Sequence, residues 1–384
     1  MQKFTTTIPL SLYIHLPWCV RKCPYCDFNS HEARDSLPEE LYINALMKDL
    51  EENLPKIWGR RILSIFFGGG TPSLFSAKGI GRILTEVNTR LPFGPDTEVT
   101  LEANPGTIDE SRFSGFREAG INRLSLGLQS LQDDKLKALG RIHDRDKALR
   151  AIDIARSAGF KNFNLDLMHG LPNQTVDDAL SDLRDALAFQ PKHLSWYQLT
   201  IEPNTLFHHQ PPTLPVEDTL WEIQEQGRAL IEKCGLAQYE VSAYSQPNFE
   251  CTHNLNYWEF GDYLGIGAGA HSKLTDMEQQ NVTRHWQVKN PRDYLDPTKQ
   301  FTAEEKITPD KEMVFEFMMN ALRLTRGVPT ALFTERTGLP LSVIEPVVNA
   351  AKTKGLLEET TEWIRATELG QRFLNDLVEM FLHS

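Results

Sequence analysis

Six segments rich in β-branched, aromatic or leucine residues, at 11–16, 61–67, 97–103, 121–127, 160–168 and 193–200, read as strands bounded by turn signals. Amphipathic stretches at 39–54, 77–91, 109–119, 147–158 and 176–189 lie between them, with apolar residues at helical spacing, as in Leu41, Ala45, Met47 and Leu50. Such alternation implies parallel strands joined by crossover helices, and so an α/β barrel, a partial barrel or a doubly wound sheet. Glycines and polar residues gather just after the strand ends, at 68–71, 102–106, Gln129 and 166–170. Barrel chemistry sits on that face, so the pattern favours a barrel with one composite site.

Beyond residue 200 the texture changes. A proline- and histidine-rich connection at 201–215 precedes a helix around 218–234, and short strands at 239–244 and 263–266 finish the first domain. The stretch 290–309 is polar with three prolines and reads as a linker. After it, helices at 312–324, 330–337, 342–354 and 367–381, with a strand pair at 356–359 and 363–366, suggest a winged-helix-like module. The expected organisation is a domain over 1–290, a linker over 291–309 and a small α+β domain over 310–384. That tail is expected to cap the barrel mouth or present a docking surface.

No apolar run approaches the roughly 20 residues of a membrane span. The mildly apolar stretch 8–20 is interrupted by His15 and Pro17 and lacks a small-residue cleavage site, so a cytoplasmic location is expected. The net charge of −12 argues against a general nucleic-acid binder. From Val328 onward there are eight acidic and five basic side chains, a poor composition for a DNA-reading helix. Five cysteines are present, and three of them, Cys19, Cys23 and Cys26, fall within eight residues. Cys234 and Cys251 stand apart. Clustering of this kind points to metal or redox chemistry rather than a disulfide framework.

The segment Cys19-Val-Arg-Lys-Cys23-Pro-Tyr-Cys26 spaces its thiols by four and three residues in one loop after a strand. Four cysteines normally close an iron–sulfur cubane, and three leave one iron open to a ligand. Zinc is the alternative on spacing alone, with His15, Asp27, His31 or Cys251 as a fourth ligand.

C-x-x-x-C-x-x-C with an aromatic before its last cysteine resembles the signature of the radical S-adenosylmethionine (radical SAM) superfamily. Tyr13-Ile-His15, Gly68-Gly-Gly-Thr-Pro72, Glu102-Ala-Asn-Pro-Gly106, Gly127-Leu-Gln129, Gly140-Arg-Ile-His143 and the run from Asn164 to Pro172 extend the resemblance over nearly the whole chain. Together they are similar to the oxygen-independent coproporphyrinogen III oxidase family, and most closely to its heme-chaperone (HemW-like) branch.

The resemblance implies a partial (β/α) barrel of radical SAM type, with a 4Fe–4S cluster on Cys19, Cys23 and Cys26. It implies S-adenosylmethionine held by Tyr13, Tyr25, Gly69, Gly70, Thr71, Glu102, Gln129, Arg141 and Asp166. Glycines allow the backbone to approach a ligand closely. It further implies an electron donor such as flavodoxin or ferredoxin, and radical chemistry belonging to the cofactor. Coproporphyrinogen dehydrogenases of the family carry another cysteine two residues after the triad, where this chain has Phe28, and a longer extension before it. Both departures point away from porphyrinogen decarboxylation. In its place, His253-Asn-Leu-Asn-Tyr-Trp258 matches the H-N-x-x-Y-W motif of the heme-chaperone branch, implying heme as a ligand with His253 at its iron. Cys251 is an alternative, and His208, His209, His271 and His285 are weaker candidates. The function implied is delivery of heme to acceptor proteins, respiratory ones foremost.

Overall fold

In the computed structural model, residues 4–33 and 36–382 are described. The expected domain ends at residues 1 and 384 lie outside them.

Twelve strands form one sheet: β1 (Leu10–Leu16), β2 (Ile62–Gly69), β3 (Glu98–Ala103), β4 (Arg123–Gln129), β5 (Phe163–His169), β6 (His193–Gln198), β7 (Ala237–Glu240), β8 (Ala243–Ser245), β9 (Asp262–Ile266), β10 (His271–Asp276), β11 (Asn281–Gln287) and β12 (Thr302–Ile307). Their order is β12-β11-β10-β9-β1-β2-β3-β4-β5-β6-β8-β7. From β1 to β6 each strand pairs in parallel with the next in sequence, with no reversal of order. A doubly wound sheet reverses at a switch point. This one coils in a single direction, so it is a partial barrel.

The six strands are the six expected from sequence. Parallel strands covered on both faces read as near-continuous apolar runs, and Leu124, Leu126 and Leu128, like Ile65 and Phe67, are fully buried. Crossover helices α1 (Glu39–Asn53), α2 (Ala77–Arg90), α3 (Glu110–Ala119), α4 (Asp133–Ala138), α5 (Arg145–Ser157) and α6 (Val176–Ala188) return the chain. Thr175 and Asp178 form a capping box at the start of α6, and Gly120 ends α3 in a left-handed conformation. In α1 the face turned to the core carries Tyr42, Leu46 and Leu50, while Leu41 is exposed.

The barrel does not close. Beyond β6 an antiparallel hairpin, β8 and β7, ends one side. On the other, β9 adds in parallel to β1 and continues into the antiparallel meander β10–β12. The stretch 291–309, expected as a linker, contains the edge strand β12, and its Glu304, Glu305 and Lys306 face water. Charged residues protect an exposed edge, which gives the segment its linker-like composition.

After α7 (Glu217–Lys233), the short helix α8 (Thr252–Trp258) lies inside the coil of strands at their N-terminal ends. The tail comprises α9 (Asp310–Ala321), β13 (Val328–Pro329), α10 (Thr330–Thr337), α11 (Glu345–Thr353), β14 (Trp363–Ile364), α12 (Glu368–Arg372) and α13 (Leu374–Glu379). Leu357 bridges Ala366, and β14 also pairs with β13, so the expected wing gains a further strand. The tail's core merges with Phe4, Ile8, Phe260 and Val282. Those residues sit at or before the N-terminal ends of strands, so the tail packs at the end opposite the barrel mouth. Asp262 is fully buried there, paired with Lys273 at 3.0 Å and Arg60 at 2.9 Å.

Candidate functional site

The loop after β1 is tied down at both ends. Trp18 and Cys19 pair with His31 and Glu32, and Ala33 N–H donates to Cys19 O at 2.9 Å. Each thiol lies beside a polar side chain. Thr71 Oγ1 lies 3.5 Å from Cys19 Sγ, Arg141 Nη1 3.6 Å from Cys23 Sγ and Ser30 Oγ 3.7 Å from Cys26 Sγ. Burial pushes the Cys19 and Cys26 thiols up, and a bound metal would favour their thiolate forms. A zinc site would need a fourth ligand drawn to the same ion as the three thiols. Cys251, considered as a fourth ligand, lies against Glu98 at the first residue of β3, far along the strands from the triad.

The triad borders a cavity of about 320 Å³ that also takes in Tyr25, Gly69, Gly70, Thr71, Glu102, Gln129, Arg141 and Asp166. Of the expected cofactor contacts, the structure therefore gathers all but Tyr13 and His253 around one space. Tyr13, inward on β1, stacks on Phe66 and lines an adjoining cleft.

The glycine loop is shaped by its neighbours. Gly69 has φ +111°, and a Cβ there would lie 2.6 Å from the His15 ring; at Gly70 it would lie 2.5 Å from the Trp18 carbonyl oxygen. Gly70 N–H donates to Leu16 O and Thr71 N–H to Trp18 O. Glycine is thus required so that β2 can dock on the cysteine loop, whatever ligand then approaches.

Two carboxyls face the cavity. Burial, and then the neighbouring Asp166, raise Glu102 to about 8, although the Gly69 N–H bond opposes the shift. Burial also raises Asp166, which accepts from Ser125 at 2.9 Å and Asn164 at 2.7 Å. Paired buried carboxyls of this kind suit a cationic ligand. Arg141 donates to Gly127 O at 2.7 Å, while its Nε is buried without a partner. Gln129 occupies a bulge with φ +69° and accepts from Tyr197 at 2.8 Å. Tyr197 and Ser30 were not singled out from sequence. Tyr197 follows Ser195 by two residues in an expected strand, and that period places both on one face.

His253 stands elsewhere. It is 1% exposed on α8, at the N-terminal ends of the strands. Its Nδ1 meets Ser64 Oγ at 2.9 Å and its Nε2 meets Tyr257 OH at 3.2 Å. Burial, followed by the Arg123 charge, lowers its pKa to about 3. It lines an inner chamber of about 260 Å³ below Glu102 and Asp166.

A wider cleft of about 590 Å³ opens beside the cysteine loop and shares Phe28, Gly69 and Glu102 with the triad's cavity. Asn29 Nδ2 donates to Ala268 O at 2.9 Å and Lys289 O at 2.8 Å, fastening the cysteine loop to the glycine-dense segment after β9 and to the chain just after β11.

Cysteine loop, glycine loop and buried carboxyls, gathered at the mouth of a parallel partial barrel, place the chain among radical SAM proteins. Residues 13–186 match the model of the Radical SAM superfamily, and residues 308–373 match that of the HemN C-terminal domain. The chain is 50% identical to heme chaperone HemW of Haemophilus influenzae, over 97% of this chain and 98% of that protein. It is 48% identical to HemW of Escherichia coli over 97% and 98%. The chain belongs to the HemW family of the radical SAM superfamily. Membership brings S-adenosylmethionine and an iron–sulfur cluster as the cofactors of its class. Coproporphyrinogen III oxidase (HemN) of Escherichia coli superposes with a TM-score of 0.82 at 21% identity, over 98% of this chain and 90% of that one, which is a likeness of fold. No helix among the described residues is long and apolar enough to cross a membrane.

Proposed function

We propose that this chain carries heme and hands it to acceptor proteins, respiratory ones foremost, from a barrel that also holds a 4Fe–4S cluster and S-adenosylmethionine. The observation that carries this reading is near-full-length identity of 50% to a protein named as a heme chaperone. Phe28, at the position of the dehydrogenases' additional cysteine, supports it over porphyrinogen oxidation.

Cys19, Cys23 and Cys26 would hold three irons of the cluster and leave the fourth facing the cavity. When bound, the cluster supplies the electron that cleaves the sulfonium of S-adenosylmethionine, drawn from a donor such as flavodoxin or ferredoxin. Glu102 and Asp166 accept from the cofactor's cationic and hydroxyl groups, Gln129 and Arg141 fix its polar ends, and Tyr25 closes the wall beside Cys23. The division into a barrel body and a winged-helix-like tail from residue 310, and a cytoplasmic setting without nucleic acid, belong to the same reading.

The test is anaerobic reconstitution followed by hemin titration, a 5′-deoxyadenosine assay and incubation with coproporphyrinogen III. The reading expects saturable hemin binding and no protoporphyrinogen IX. Turnover of coproporphyrinogen III without hemin binding refutes it.

A further inference from the structure

We infer that the heme iron is bound by His271, on the wall of the cleft beside the cysteine loop, and not by His253. This rests on the heme-carrier reading above and adds where the cargo sits.

An axial histidine must offer one ring nitrogen along an open direction. His253 has neither nitrogen to offer. Ser64 and Tyr257 occupy them, Phe66 stacks against the ring with centroids 5.0 Å apart, and Glu98 accepts from its backbone N–H at 3.1 Å. The chamber it lines, about 260 Å³, falls below the roughly 300–1,000 Å³ of small-ligand sites. His15 also reaches the cleft, but its nitrogens are taken by Tyr13 OH at 3.2 Å and Asn29 O at 2.9 Å.

His271 differs in each respect. It opens β10, is exposed, and lines the cleft of about 590 Å³. Its ring lies against Trp286 with centroids 5.8 Å apart and planes 21° apart, which fixes its orientation without engaging either nitrogen. Burial, then Lys289 and Arg284, lower its pKa, favouring the neutral ring that ligates iron.

The segment presenting it is held rigidly. A Cβ at Gly267 would lie 2.4 Å from His15 O and one at Gly269 2.3 Å from Asn29 Nδ2. The dense glycines of Gly265–His271 therefore serve to press this turn against the cysteine loop and set His271 at the cleft's edge.

The rest of the cleft suits a flat, apolar ring with acidic arms. Phe28 stands 62% exposed on its lip, an apolar face left open to water, and Tyr257 and Tyr263 line its depth. Lys22, whose Nζ also donates to Phe28 O at 3.2 Å, and Lys289 offer ammonium groups to the two propionates, and the carboxyls of Asp27 and Glu102 line the same cleft.

Hemin titration of the anaerobically reconstituted protein decides the matter, comparing wild type, His271→Ala, His271→Met, His253→Ala and Lys289→Ala. The expected result is affinity lower by roughly tenfold or more in His271→Ala, with an altered Soret band restored by added imidazole. His271→Met should shift the band through a change of ligand. Cluster content should be unchanged, because His271 touches no cysteine. Lys289→Ala should weaken hemin but not its dimethyl ester. Wild-type affinity and spectra in both His271 variants, with loss in His253→Ala, overturn the assignment and leave the heme-carrier reading standing. Failure of the wild type to bind hemin overturns both.

Discussion

Replacing Glu102 with glutamine removes a carboxyl whose ionisation the fold opposes. In the folded chain burial and Asp166 raise this carboxyl from 4.5 to about 8. Because the folded value lies above the unfolded one, its contribution to stability is present in full below pH 4.5. It is lost as pH rises through about 8. Between those limits each pH unit costs about 1.4 kcal/mol. Glutamine keeps the shape and cannot ionise, so its advantage over glutamate should grow by about 3 kcal/mol from pH 5.5 to 7.5. Urea unfolding of both proteins at pH 5.5, 6.5 and 7.5, without S-adenosylmethionine, measures the difference. Binding of the cofactor to the variant should weaken by about ten- to hundredfold, as expected for a lost charge-assisted hydrogen bond. A stability difference that does not change with pH refutes the argument, because Glu102 would then be ionised at no cost across that range.

Alanine at Cys19, Cys23 or Cys26 should abolish the charge-transfer absorbance of the reconstituted cluster, whereas Cys234→Ser, at an exposed thiol, should retain it. Thr71→Val removes the hydroxyl 3.5 Å from Cys19 Sγ and should make the cluster potential more negative, as read by redox titration. Gly70→Val should lose cluster as well as S-adenosylmethionine, since its Cβ would meet the Trp18 carbonyl next to Cys19; iron analysis checks this. Lys273→Met leaves Asp262 with Arg60 as its remaining cationic partner and should destabilise the protein by about 3 kcal/mol in thermal or urea unfolding.

The parts of the fold legible in the sequence were those with local, repetitive causes. Strands β1–β6 are apolar runs because both faces are covered, and the cysteines announce themselves by spacing. β12 was not legible: Glu304, Glu305 and Lys306 suit an exposed edge as well as they suit a linker. Gln129 was placed after the right strand, yet nothing in the chain forecast its positive φ, which the bulge imposes. The glycines at 69 and 70 were seen as room for a ligand, and their immediate neighbours proved to be His15 and Trp18. His253 shows the limit most clearly. Its residue type suggested iron, but its burial depends on Ser64, 189 positions earlier in the chain.

The tail's position has a consequence for traffic through the molecule. Its core is continuous with Phe4, Ile8 and Phe260, at the far end of the strands from the cysteines. Among the described residues the tail therefore does not cover the mouth, and a flat ligand would not have to displace it to arrive or leave. On the heme-carrier proposal, hand-over would then require only breaking the bond to iron and peeling the ring from the aromatic faces of the cleft, for both of which an approaching acceptor could compete directly. A molecule built in this way is a loading dock without a door.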